Sequence, residues 1–146
     1  KYEMDEQRIF TTGMSNGGSM SNRLACDRAD VFRGAAILTA QISKDYLPLC
    51  KPSQPLAVLV MNGTEDKIVP YDGGPITILK KTRGEILSTD EFVEFWKNNN
   101  NCTSKKTRVN LPDKMDDGTT VSIEEYSSCA DRGTLKFYKI KGGGHT

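Results

Sequence analysis

A single histidine, His145, stands among the 146 residues, and none of the four cysteines forms a CxxC pair. That removes the donor set a zinc site needs, and no metal or other cofactor is expected. No apolar run approaches the roughly 20 residues that a helix needs to cross a bilayer, and hydrophobic residues make up only 36% of the chain. Charge of one sign is lacking too: 20 basic against 19 acidic side chains leave a net of +1. Neither a nucleic acid nor a membrane is therefore expected as a partner. Internal repeats are absent, and the low-complexity patches are confined to 98–101 and 142–144. The length bounds the chain to one domain, taken as 1–146.

What the chain does contain is apolar residues gathered into short blocks, the pattern of a packed fold. RIFTTG (8–13) is a β-branched and aromatic run ending in glycine. NRLACDRA after it reads as a helix, with Met20, Leu24 and Ala25 on one face and Asn22, Arg23 and Asp27 on the other. GAAILTA (34–40) is continuously apolar, as a strand buried on both faces should be. Pro48, Pro52 and Pro55 mark 41–55 as a loop or lid. PLAVLVM supplies another buried strand, closed by a turn that carries Gly63, Glu65 and Asp66. Ser88 or Thr89 caps a helix running to Asn98, whose packing face is Phe92, Val93, Phe95 and Trp96. Residues 108–127 read as a hairpin turning at Asp117-Gly118, and TLKFYKIK as a last strand before three glycines and His145. Strands alternating with helical or loop crossovers predict an α/β domain with a mostly parallel sheet, whose functional groups gather beyond the carboxyl ends of the strands.

Ser15, Asp66 and His145 fall there, each just after a predicted strand. A serine hydroxyl is a weak nucleophile until a base takes its proton, and that base must be oriented by an acid. GMSNGG (13–18) holds G-x-S-x-G at a strand-to-helix turn, where glycines on either side let backbones approach and the strained turn exposes the serine. The same turn aims the Asn16 amide at a reacting carbonyl, with the positive end of the next helix beneath the oxyanion. The three residues follow the Ser, Asp, His order of α/β-hydrolases. Glu65 and Asp72 compete with Asp66 as the acid; Asp66 is preferred because it lies in the strand-end turn, whereas Glu65 would point oppositely and Asp72 falls in a later YDGG turn. The three glycines suit a mobile loop that delivers the imidazole. An even cysteine count at wide spacing fits two disulfides, Cys26–Cys50 with Cys102–Cys129 being favoured among three connectivities, and points to an oxidising compartment. Four buried free thiols in a cytosolic protein are the alternative.

In their order and combination, GMSNGG, RLAC, PLAVLVMNGTEDKIVPYDGG, FVEFWKNNNNC and GGGHT resemble the secreted esterase/polyhydroxybutyrate depolymerase family, which includes feruloyl and acetylxylan esterases. The resemblance implies an α/β-hydrolase fold with Ser15 as nucleophile, Asp66 as acid and His145 as general base. It implies an ester substrate linked to a polysaccharide: feruloyl or acetyl esters of plant xylan, with polyhydroxyalkanoate next. It also supports the Cys102–Cys129 bridge, since the family has cysteines after its tryptophan helix and before its last strand. Asn62 departs from the family, where a histidine usually opens an HGT turn. The family also has strands before the elbow, one leading into the loop with the second oxyanion amide, and a closing helix after the histidine. The resemblance thus implies a domain truncated at its N-terminal side, with four strands and an open apolar edge at residues 9–12. A companion chain carrying the missing half, or self-association, is expected to cover that edge. A non-catalytic half-domain and a peptidase or thioesterase on the same fold are the rival expectations.

Overall fold

The computed structural model describes residues 3–79, 81–104 and 107–146. The apolar blocks become β1 (Phe10–Met14), β2 (Gly34–Leu38), β3 (Ala57–Gly63) and, late in the chain, β8 (Thr134–Lys141). Between them lie α1 (Asn16–Asp27), β4 (Gly74–Ile78), β5 (Lys81–Ile86), α2 (Thr89–Asn99), β6 (Thr107–Asn110) and β7 (Thr120–Tyr126). The main sheet has the order β1-β2-β3-β8-β7-β6; the first four strands run parallel, and β7 and β6 add antiparallel. This is an α/β fold with a mostly parallel sheet.

Two departures from the sequence-based expectations concern strands. Residues 108–127 extend the main sheet to six strands, and the reversal is spread over 111–119, with Gly118 at φ +79°. Gly74–Ile78 and Lys81–Ile86, which carried no strand expectation, pair as the separate β4–β5 sheet. The 41–55 loop lies against it: Leu87 N donates to Ile42 O (3.1 Å), Lys44 N to Glu85 O (2.9 Å), and Ser43 bridges Ile86.

Both helices pack on one face of the sheet. Ile37, Val58, Val60, Leu135 and Phe137 meet Ala25 and Cys26 of α1 and Phe92, Val93 and Trp96 of α2 in one apolar cluster. The buried indole N–H of Trp96 donates to Asn22 Oδ1 (3.2 Å), joining the two helices. The face of α1 therefore differs from the periodicity: Asn22 is 2% exposed and Met20 58%. Small residues win the inner face because the helix runs close to the strand end. A Cβ on Gly18 would lie 2.6 Å from Leu38 O.

The opposite sheet face is open among the described residues. Strand register aligns Phe10, Gly34, Ala57 and Thr134 in one row, and Thr12, Ala36, Leu59 and Lys136 in the next. Phe10 is 60% exposed and Ala36 and Leu38 are only half-buried, so β2 is covered on one face and not on two.

Local chemistry fixes the ends of the elements. Ser88 caps α2 in a reciprocal box with Glu91: Ser88 Oγ accepts from Glu91 N (3.2 Å) and Glu91 Oε2 accepts from Ser88 N (2.8 Å). Asn100, fully buried just after the helix, donates to Leu56 O (2.7 Å) and Thr134 O (3.2 Å) and accepts from Leu56 N (3.0 Å). Disulfides join Cys26 to Cys50 and Cys102 to Cys129, and no described cysteine is free. The free-thiol alternative is thereby overturned. The first bridge ties the end of α1 to the 41–55 loop; the second ties the exit of α2 to the approach to β8.

Candidate active site

The turn from β1 into α1 puts Ser15 at φ +56°, ψ −120°, a conformation side chains avoid. Such a residue costs about 1–3 kcal/mol and persists only when its surroundings hold it. Here Ser15 N donates to both Leu38 O (2.9 Å) and Thr39 Oγ1 (3.1 Å). Thr39 is itself at φ +46° and is tied by its N–H to Met61 O (2.9 Å). The glycines divide unevenly. A Cβ on Gly13 would lie 2.4 Å from the carbonyl of Gly17, and Gly18 is equally confined, whereas a Cβ on Gly17 would meet nothing within 4 Å. The steric need for glycine thus falls on positions 13 and 18, and not on the glycine that follows the serine in the pentapeptide.

Beyond β3, Asp66 is 7% exposed. Its Oδ1 accepts from Ile68 N (2.9 Å) and Val69 N (2.8 Å), which leaves Oδ2 to face His145 Nδ1 at 2.7 Å. His145 Nε2 lies 2.8 Å from Ser15 Oγ. The structure therefore brings Ser15, His145 and Asp66 into one hydrogen-bonded row. Glu65 and Asp72 are exposed, and neither bonds His145. Two of the three glycines before the histidine, Gly142 and Gly143, are packed closely, whereas a Cβ on Gly144 would meet nothing within 4 Å. A Cβ on Gly63 would meet Gly143 O at 2.2 Å, Glu65 N donates to Gly143 O (2.9 Å), and Gly142 N donates to Thr64 Oγ1 (2.9 Å). The segment bearing the imidazole and the turn bearing the carboxylate thus hold each other.

A buried amide network stands behind the acid turn. Gln41 Nε2 donates to Pro70 O (3.2 Å) and Thr89 Oγ1 (2.8 Å), and Asn62 Nδ2 donates to the same hydroxyl (3.0 Å). Asn62 is therefore a support of the turn and does not touch the reacting atoms. Sequence reasoning missed Thr39 and Gln41. The only signal was their place just past the apolar part of β2.

A cleft of about 700 Å³ opens beside Ser15 and Asn16, walled by Ile42, Ile76 and Ile86 and flanked by Tyr46 and Arg83. Asn16 is the first residue of α1, where an amide has no partner within the helix. On one flank, the Arg23 guanidinium lies 4.3 Å over the Tyr46 ring and pairs with Asp27, which also accepts from the Tyr46 hydroxyl (2.5 Å). Burial, and then that bond, push Tyr46 up to about 12, while the bonds from Tyr46 and Arg23 lower Asp27. Gln41, Ile42, Ser43 and Tyr46 bring the 41–55 loop to this cleft, and residues 108–127 do not line it. Among the described residues no group of three His, Cys, Asp or Glu could hold a metal, and no helix is long and apolar enough to cross a membrane.

No protein-family model matches the chain. Individual proteins do. A feruloyl esterase B of Piromyces equi is 30% identical over 97% of this chain and 25% of its own length. A putative esterase NocK of Nocardia uniformis subsp. tsuyamanensis is 28% identical over 98% of this chain and 43% of its own length. A probable feruloyl esterase C of Aspergillus flavus is 37% identical over 53% of this chain and 27% of its own length. The chain is thus similar to proteins named as esterases, and it spans less than half the length of each.

Proposed function

We propose that this chain carries the catalytic apparatus of a secreted serine carboxylesterase of α/β-hydrolase fold, which cleaves feruloyl or acetyl esters of plant xylan. One observation carries the reading: an unbroken row from Asp66 Oδ2 through His145 to Ser15 Oγ, opening on a cleft. Similarity to proteins named feruloyl esterase supports it, and the two disulfides support the secreted part.

In this reading Ser15 Oγ attacks the ester carbonyl as its proton passes to His145 Nε2. Asp66 Oδ2 accepts from Nδ1–H, which fixes the tautomer that leaves Nε2 free to take that proton. The Asn16 N–H receives the oxyanion, and His145 returns the proton to the departing alcohol. Water, activated by the same imidazole, then releases the acid from the acyl-enzyme. Loss of one oxyanion donor costs about a hundredfold to a thousandfold in rate, so the donor partnering Asn16 sets how active the chain is alone. A cleft of about 700 Å³ falls in the range of small-molecule sites and has room for either acyl group.

Labelling with a fluorophosphonate, followed by peptide mapping, tests the reading. Modification at Ser15 that Ser15→Ala abolishes, together with turnover of feruloylated xylan esters, is the expected result. A folded protein that neither labels nor turns over any ester would overturn it.

The open sheet face favours a second proposal, that a companion chain or a second copy covers β1 and the two rows that run from Phe10 to Thr134 and from Thr12 to Lys136. Sedimentation should then show association. A monomer that melts cooperatively alone would remove the need for a partner.

A further inference from the structure

The cleft beside Ser15 is apolar over most of its walls, yet charged groups stand along its rim, and they are not equally engaged. Arg23, which lines the cleft, is paired with Asp27. Arg83 lines the cleft from β5, and its guanidinium makes no hydrogen bond or ion pair among the described residues. Arg83 and Gly84 stand together against Ile76 in the register irregularity between the pairs Pro75–Glu85 and Thr77–Thr82, and Ile76 and Ile78 line the same cleft. A guanidinium left over beside isoleucine side chains has one preferred complement, since its planar fork binds a carboxylate through two parallel N–H bonds. Arg83 is exposed at the mouth of the cleft, so solvent screens such a pair in part and its effect is modest.

We propose that Arg83 is a specificity determinant of this cleft, binding a carboxylate carried by the ester that Ser15 attacks. The substrate class is then an anionic ester: one whose apolar segment lies along the isoleucines and whose carboxylate, on the acyl group or on a neighbouring sugar acid, reaches β5. This rests on the esterase reading above and narrows it.

A matched pair of esters tests it: 4-nitrophenyl hexanoate and mono-4-nitrophenyl adipate, in which a carboxylate replaces the terminal methyl. The readout is the ratio of kcat/KM for adipate over hexanoate. Arg83→Gln should lower that ratio roughly fivefold, the scale of a partly exposed ion pair. Arg83→Lys should restore part of it, and raising the salt should shrink the wild-type preference. Lys51→Gln, which removes the same charge away from the cleft, controls for net charge. A ratio unchanged in Arg83→Gln, or lowered equally in Lys51→Gln, overturns the proposal while leaving the esterase reading in place. Absence of turnover with both esters counts against the esterase reading instead. The carboxylate site is then judged by binding: monomethyl adipate, but not methyl hexanoate, should shift the Arg83 Nε–H resonance, and no shift overturns the proposal.

Discussion

Replacing Gly13 by alanine isolates what the elbow demands. A Cβ there would lie 2.4 Å from the carbonyl carbon and oxygen of Gly17 and 2.9 Å from its Cα. Carbon atoms pack at about 3.5–4.0 Å, so the turn would have to open by about 1 Å. Overpacking of this kind costs about 1–3 kcal/mol. The same opening draws Ser15 Oγ away from His145 Nε2, now 2.8 Å distant, and a misplacement of about 1 Å is worth roughly a hundredfold in rate. Gly17→Ala is the matched control. Its Cβ points into open space and the residue does not line the cleft, while alanine for glycine in a helix gains up to about 1 kcal/mol. Urea unfolding followed by circular dichroism reads stability, and the rate of fluorophosphonate labelling reads geometry. The expected outcome is loss of both in Gly13→Ala and of neither in Gly17→Ala. Equal damage from the two substitutions, or a Gly13→Ala protein that labels at the wild-type rate, would refute the reasoning.

Asp66→Asn should retain the fold and the acceptor for Ile68 N and Val69 N while presenting the wrong partner to His145 Nδ1, with a loss of about ten-thousandfold in kcat; a loss below tenfold would remove Asp66 from the mechanism. Tyr46, raised to about 12, contributes stability that is full below the ordinary tyrosine value of 10.0 and is lost as pH rises towards 12. Urea melts of Tyr46→Phe should therefore show a shallower alkaline decline than wild type, though not a flat one, because Tyr126 is also raised to about 12. Identical slopes would contradict this. Removing the Cys102–Cys129 bridge with two serines frees a loop of sequence separation 27, which on chain entropy destabilises by about 3.5 kcal/mol. A thermal melt that hardly moves would show that the loop is already ordered in the unfolded chain.

The strands that carry the site were legible because each is a short apolar block: 34–38, 57–63 and 134–141 sit within or beside their predicted runs. The β4–β5 sheet was not, since most of its residues are exposed and so leave no burial period in the sequence. The inner face of α1 was misjudged because periodicity rewards large apolar residues, whereas here close approach to Leu38 selects Gly18, Ser21 accepts from Thr11 and Asn22 accepts from Trp96. Ser15, Asp66 and His145 could be read from their chain order. Their supports could not: Thr39, Gln41 and Thr89 act through contacts between segments far apart in the chain, and no local pattern announces a hydroxyl that accepts from two amides.

Asn98, Asn99, Asn100 and Asn101 look interchangeable on paper, but the third holds the starting line of two strands. Its amide clasps Leu56 and Thr134, the residues that open the approach to β3 and β8. Those strands then run side by side through seven paired positions, from Ala57 opposite Thr134 to Gly63 opposite Ile140. Asp66 leaves the far end of one and His145 the far end of the other. The alignment of carboxylate with imidazole is thus zeroed roughly 20 Å away, at about 3.3 Å of strand per residue. Two rails ruled from a common mark arrive together; a drift at the mark would arrive undiminished at the chemistry.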